Sequence, residues 1–327
     1  MLDRRQFLCS MALLHPSVRT LANSLWLGQL TRGRERAATN LFLHDGRPLL
    51  VSVAGNDVRE MLATGLTRLP QLNDVLKGKR VVIKPNATAS EPYPVTTDVA
   101  LLEAIVLYVK QAGASQITIC DSSSFAGFAN DRVFTKLGYF SLAEKESVRA
   151  TVIDSQVGSE YVRVSNPKWT TNRFLLTDKV VNRADFVINL AIPKRHHAAD
   201  FSGALKNNFG CTYGTFRMLA HMRGGEFFDN CLVEFADAVR PNLTIVDARS
   251  VLAKSGPSFR PGQSEIVAAQ RLVLSGDMVA ADAYCGRLME KLDPSFDLTK
   301  RLQRQLVYAH SLNLGQPDLG ETEMLEV

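Results

Sequence analysis

Cysteine is scarce in this sequence and badly spaced for the usual cysteine frameworks. The five are Cys9, Cys120, Cys211, Cys231 and Cys285, with no C-x-x-C among them. An odd count at wide spacing argues against a disulfide scaffold, a zinc finger and a cysteine-ligated iron–sulfur run. Long apolar runs are lacking too. No stretch of about 18 apolar residues exists, so no integral membrane span is expected. G-x-G-x-x-G, Walker A, G-x-S-x-G and H-E-x-x-H are all absent. That removes the ordinary cues for dinucleotides, nucleoside triphosphates, α/β-hydrolase chemistry and a zincin site. A strong charge of either sign is missing from the body of the chain. The formal charge is +5 over 327 residues, but residues 1–36 carry six arginines against Asp3 and Glu35. The remainder is close to neutral and has no basic stripe interleaved with aromatics, so nucleic acid is not an expected partner.

What is present is ordinary globular composition, 46% hydrophobic and 22% charged, which excludes a disordered chain or a coiled coil. The N-terminus reads Asp3-Arg4-Arg5-Gln6-Phe7-Leu8, then a modestly apolar run. It resembles a twin-arginine export signal, an address read by a receptor and not an anchor. The resemblance implies a periplasmic or exported protein. The alternative is a cytoplasmic protein with an amphipathic N-terminal helix.

The body alternates between strand and helix patterns. Residues 40–43 and 49–53 flank Asp45-Gly46 and predict a hairpin. Strands are expected at 80–83, 116–120, 151–154, 161–164, 186–190, 243–246 and 270–274. Helices are expected at 58–69, 98–111, 131–137, 141–147, 201–209, 227–239, 278–289 and 298–311, and Gly210 reads as a helix C-cap. This pattern predicts an α/β fold, a mostly parallel twisted sheet with helices on both faces. Residues 1–38 read as signal and linker, and 39–315 as one domain. Residues 150–185 read as a small antiparallel insertion, and 316–327 as a loose polar tail.

Polar residues gather where strands end. Residues 80–83 run into Lys84-Pro85-Asn86, and 117–120 into Asp121-Ser122. Residues 186–190 lead to Lys194-Arg195-His196-His197, 243–246 to Asp247, and 272–274 to Ser275-Gly276-Asp277. Ligands of open α/β sheets bind outside the carboxyl ends of strands. Asp and Ser there are also ordinary caps and turn formers; lysine is neither. A further unusual segment is Ala204-Leu205-Lys206-Asn207-Asn208-Phe209-Gly210.

Val82-Ile83-Lys84-Pro85-Asn86, Lys194-Arg195-His196, the 202–210 segment, Asp247 and Ser275-Gly276-Asp277 with Asp282 occur in that order. Over about 79–290 the chain resembles the bacterial and archaeal family named domain of unknown function 362. The resemblance places Lys194 and His196 on a Lys-x-His element, and Lys206 with Asn207 on a Lys-Asn element. Many members append a four-iron–four-sulfur ferredoxin segment, which this sequence lacks.

Three lysines converging on one cleft make a trap for carboxylate or phosphate, and crowding lowers the pKa of one of them, which suits a general base or a Schiff-base former. Lys84, Lys194, His196 and Lys206 are therefore the expected catalytic groups. Asn86, Asp121, Ser122, Asn207 and Asp247 are the expected substrate-binding groups. The expected activity is acid–base or redox chemistry on a small anionic substrate, as an oxidoreductase or isomerase, with a periplasmic redox partner as one option. The alternative is a non-catalytic carrier of a metal, cofactor or anion. The cofactor is unknown from sequence. A protein-bound metal is not favoured, because adjacent His196 and His197 on a regular strand would point to opposite faces.

Overall fold

The structure, a computed structural model, describes residues 32–33, 40–122, 131–153 and 160–327. The twin-arginine segment and the expected export linker lie almost wholly outside the described residues.

The described chain opens with a hairpin, β1 (Leu43–His44) and β2 (Arg47–Ala54). Asp45 and Gly46 both take positive φ, the geometry a two-residue hairpin turn needs. Helix α1 (Val58–Leu66) is capped by the Asp57 carboxylate and buries Val58, Met61, Leu62 and Leu66 at helical spacing. Short α2 (Leu72–Leu76) leads to β3 (Arg80–Lys84). Asp98 caps α3 (Val99–Gln111), which is followed by β4 (Gln116–Asp121). Then come α4 (Asp131–Lys136), α5 (Tyr139–Lys145) and β5 (Arg149–Val152). A two-stranded antiparallel unit, β6 (Tyr161–Ser165) and β7 (Arg173–Thr177), stands apart from the main sheet, as expected of an insertion. After α6 (Asp178–Val181) the chain returns through β8 (Phe186–Ala191) and the small hairpin β9 (Lys194–His196) and β10 (Asp200–Ser202). Helices α7 (Ala204–Asn207), α8 (Gly214–Arg223) and α9 (Gly225–Val239) follow. The chain closes with β11 (Leu243–Ala253), β12 (Glu265–Ser275), α10 (Met278–Leu292), α11 (Arg301–Ser311) and β13 (Glu323–Glu326).

The main sheet runs β1-β2-β12-β11-β8-β3-β4-β5. From β11 to β5 every pairing is parallel; β12 pairs antiparallel with both β11 and β2. Side chains alternate between two cores. Val82 and Val187 face a core built with α7, α9, α10 and α11. Val81, Ile83, Phe186 and Ile188 face one built with α1 to α5. The α/β fold with helices on both faces is thus the one expected.

Three local expectations are corrected. Residues 201–209 are not one helix. Phe201 sits in β10, paired with Arg195, and only four residues are α-helical before a 3₁₀ turn, Asn208–Cys211. The apolar spacing that suggested a longer helix serves strand burial and then a tight turn. Gly210 is no left-handed cap. Its role lies in the site described below. The tail is not loose either. β13 pairs parallel with β2, from Glu323↔Leu49 to Glu326↔Ser52, because an edge strand needs only one apolar face and backbone partners.

Candidate functional site

Lys84 ends β3 and Asp121 ends β4, neighbouring parallel strands. The two meet in a buried ion pair, Nζ to Oδ1 at 2.6 Å. Lys84 also donates to the Pro85 carbonyl at 3.2 Å, and the second Asp121 oxygen accepts the Ala87 N–H at 2.8 Å. Gly210 presses against this pair. A Cβ there would lie 2.1 Å from Asp121 Oδ1 and 3.1 Å from Lys84 Nζ, so no side chain fits. Ser122 ties the same segment down, donating its hydroxyl to the Gly210 carbonyl at 2.7 Å.

Lys194 opens β9 and is equally buried. Its ammonium donates to Asn86 Oδ1 at 3.1 Å and to the Val95 carbonyl. The amide chain continues inward. Asn86 Nδ2 donates to Asn207 Oδ1 at 2.9 Å, Asn207 Nδ2 to Asn189 Oδ1 at 2.7 Å, and Asn189 Nδ2 to the Ala204 carbonyl at 3.0 Å. Asn86 and Asn207, expected to touch substrate, act here as struts that lock β3, β8 and α7 together. Burial and the charge of Lys206 push the Lys194 ammonium down to about 7.

Lys206 differs from the other two lysines. It is partly exposed, and its ammonium has no hydrogen-bond acceptor or ion-pair partner among the described residues. It lies 5.5 Å from the centre of the Phe209 ring. Desolvation, then Lys84 and Arg217, bring its pKa down to about 8. Arg217 is buried in α8 and donates to the Thr212 carbonyl at 2.5 Å.

His196 is held in one tautomer. Its Nδ1 accepts from the Ala198 and Ala199 N–H groups at 3.1 and 3.2 Å, so the neutral ring carries its proton on Nε2. Burial first, and then Lys206, keep that ring neutral by pushing its pKa well down. His197 stacks on it at 4.9 Å, and the His221 ring is 6.2 Å away. His221 is also lowered, to about 4, chiefly by burial.

Asp247 does not join the lysines. Its carboxylate takes Arg249 at 2.8 Å, and Arg249 reaches on to Asp98 at 2.6 Å, bracing β11 against the start of α3. Lys84, Asp121, Ser122, Asn86, Asn207, Lys194, His196 and Lys206 are linked through these contacts and charges. Arg217, Asn189 and Gly210 join them. Asn189 was visible as the polar residue of an apolar strand. Arg217 and His221 share a face of α8 at i, i+4 spacing, which sequence alone could not aim at the lysines. Asp282, deep in α10, accepts the N–H groups of Ala204 and Leu205 and so anchors the start of α7. Among the described residues, no three His, Cys, Asp or Glu side chains are grouped as a metal set.

A parallel α/β sheet whose strand ends converge on buried lysines and a neutral histidine defines the class. The chain belongs to the family described as domain of unknown function (DUF362), whose model matches residues 81–287. It is 29% identical over 240 residues to the thylakoid-associated protein sll1697 of Synechocystis, covering 72% of this chain and 70% of that protein. A Thermotoga maritima protein of known crystal structure aligns with 73% of this chain at TM-score 0.43 and 12% identity. The chain spans 59% of that structure's length.

Proposed function

We propose that this chain is an enzyme that binds a small carboxylate or phosphate at the strand ends and performs acid–base chemistry on it. The observation that carries this is the Lys206 ammonium, which has no acceptor among the described residues while Lys84, Lys194 and Arg217 lie within its electrostatic reach, opposed chiefly by the Asp121 carboxylate of the Lys84 pair. Excess cation in a desolvated cleft is relieved by an incoming anion. In this reading Lys206 holds the anion and, with its pKa near 8, exchanges a proton with it, while the neutral His196 ring donates its Nε2–H as a hydrogen bond.

Calorimetric titration with inorganic phosphate and with oxalate tests the reading. Binding tightens as pH falls through about 8, where Lys206 gains its charge. Lys206→Ala weakens it by about ten- to a hundredfold, the usual worth of a hydrogen bond to a charged group. Failure of the wild-type chain to bind either anion between pH 6 and 9 overturns the reading. Binding that persists while no turnover is found on any small carboxylate or phosphate favours a carrier instead.

We also propose that the protein acts outside the cytoplasm. The Arg4-Arg5…Phe7-Leu8 pattern and the thylakoid association named for the Synechocystis relative support this. No helix among the described residues is long and apolar enough to cross a membrane. Replacing Arg4 and Arg5 together by lysine retains the full-length chain in the cytoplasmic fraction if the pair is the address. Unchanged fractionation argues for a cytoplasmic protein.

A further inference from the structure

The three lysines of the site differ in what their nitrogen atoms are doing. Lys84 is committed to Asp121 and the Pro85 carbonyl. Lys194 is committed to Asn86 Oδ1 and the Val95 carbonyl. Both are walled in, each 1% exposed. Lys206 alone of the three is partly exposed and lacks an acceptor among the described residues, so losing its proton breaks no hydrogen bond there. It is also the one lysine of the set set beside two fixed cations, Lys84 and Arg217, that disfavour a third charge.

We infer that Lys206 is a carbonyl-capturing amine, and that the anionic substrate is a 2-oxo carboxylate taken up as an imine. The inference rests on the anion-binding reading above and narrows it to a substrate class. The carboxylate of such a substrate offsets the positive field that Lys84 and Arg217 set up at Lys206. Its adjacent carbonyl carbon then meets the Lys206 nitrogen. The nitrogen lone pair forms the C–N bond, and the carbonyl oxygen departs as water with the two amine hydrogens. No electrons pass to a third group. His196, whose Nε2 carries the proton of the neutral ring, is near enough to feel the Lys206 charge and is the hydrogen-bond donor to the departing oxygen.

The charged and titratable groups acting on Lys206 are consistent with an amine available near neutrality. Lys84 and Arg217 disfavour its proton and Asp121 favours it. Lys206 in turn depresses Lys194, His196 and His221. The Phe209 ring attracts the ammonium form. Desolvation and the cations prevail, leaving the group near 8. At pH 7 to 8 a useful fraction is therefore free amine, unlike an ordinary lysine.

The experiment is reductive trapping of the full chain with pyruvate and sodium cyanoborohydride, read by intact mass and peptide mapping. Calorimetric binding of pyruvate, phosphate and oxalate runs alongside. The expected result is one reduced adduct per chain, on the peptide carrying Lys206, with yield rising from pH 7 to 9. Lys206→Arg keeps the cation, retains binding of oxalate and forms no adduct. Pyruvate binding without a Lys206 adduct overturns the imine while the anion reading stands. Adducts spread over surface lysines, or undiminished in Lys206→Arg, overturn it equally. No binding of any of the three anions sinks both. Wild-type peptide mapping decides the matter even if the arginine variant folds poorly.

Discussion

A single hydrogen atom at Gly210 allows the Lys84–Asp121 pair to exist. Alanine at that position places a carbon 2.1 Å from a carboxylate oxygen, so either the pair or the 3₁₀ turn must move. Breaking a buried pair costs about 3–5 kcal/mol. Gly210→Ala is therefore expected to lower unfolding stability by roughly 3 kcal/mol, as read by urea denaturation. A loss below about 0.5 kcal/mol would show that the backbone yields freely there. Asp282 gives a second prediction at this scale. Burial raises its carboxyl from 3.8 to about 7, although two backbone N–H groups pull the other way. The folded state thus keeps a proton that the unfolded chain releases near 3.8. The stabilising contribution is whole below that pH and declines as pH rises towards 7. Asp282→Asn retains an oxygen to accept the α7 amides and has no such proton. The stability difference should move in the variant's favour between pH 4 and 7.5. A difference flat with pH would place the Asp282 pKa near its ordinary value.

Between residues and the whole lie the elements, and the inserted hairpin is the instructive one. Glu234 of α9, fully buried, accepts the Thr170 N–H and hydroxyl, the Thr171 N–H and hydroxyl, and the Tyr308 hydroxyl. Asp237, one turn on, accepts Trp169 Nε1 at 2.6 Å. Two acids thus fasten the β6–β7 turn to the helix beneath it. Glu234→Ala strips a network of five donors. It should speed amide exchange in 161–177 selectively, with a cost of about 2–4 kcal/mol. Uniform exchange across the whole chain would mean that the hairpin is no separate unit. Strands such as β3 and β8 were legible because both faces are buried and the run is mostly apolar, Val81–Ile83 in β3 and Phe186–Ala191 broken only by Asn189 in β8. β9, β10 and the far half of β11 were not. β9 is Lys-Arg-His and β10 only Asp-Phe-Ser, the far half of β11 follows the polar pair Arg249-Ser250, and their strand character comes from pairing partners distant in sequence, such as Leu252↔Lys194. The lysines were legible for the same reason that strand ends are, since neither turn nor cap favours lysine. Their sorting into two fixed and one unengaged was not, because it depends on where Asp121, Asn86 and Val95 arrive in space. Asp247 illustrates the opposite failure. It stands at a strand end like Asp121, but Arg249 two residues on claims it.

The whole molecule places its cationic chemistry on one edge of a near-neutral body, where the parallel strands finish. Two lysines with lowered pKa values make the unliganded fold pay a charging penalty at low pH. Lys194 and Lys206 both hold fewer protons folded than unfolded between about 7 and 10.5. Their penalty is complete below pH 7 and fades as pH rises to 10.5. A bound anion offsets it. Phosphate should therefore raise the melting temperature most near pH 6.5 and least near pH 9.5, in a thermal scan at fixed ionic strength. An equal shift at both would separate binding from these lysines.

The other edge of the sheet carries a different consequence. Arg47 and Glu323 join ends of the pairing between β2 and β13 that lie 276 residues apart in sequence. During synthesis on the ribosome, β2 emerges early, yet its covering strand is made almost three hundred codons later. A growing chain must carry that open edge throughout translation, and the edge is a template for any other extended strand. Nascent chains halted before residue 323 are thus expected to be the species that chaperones hold.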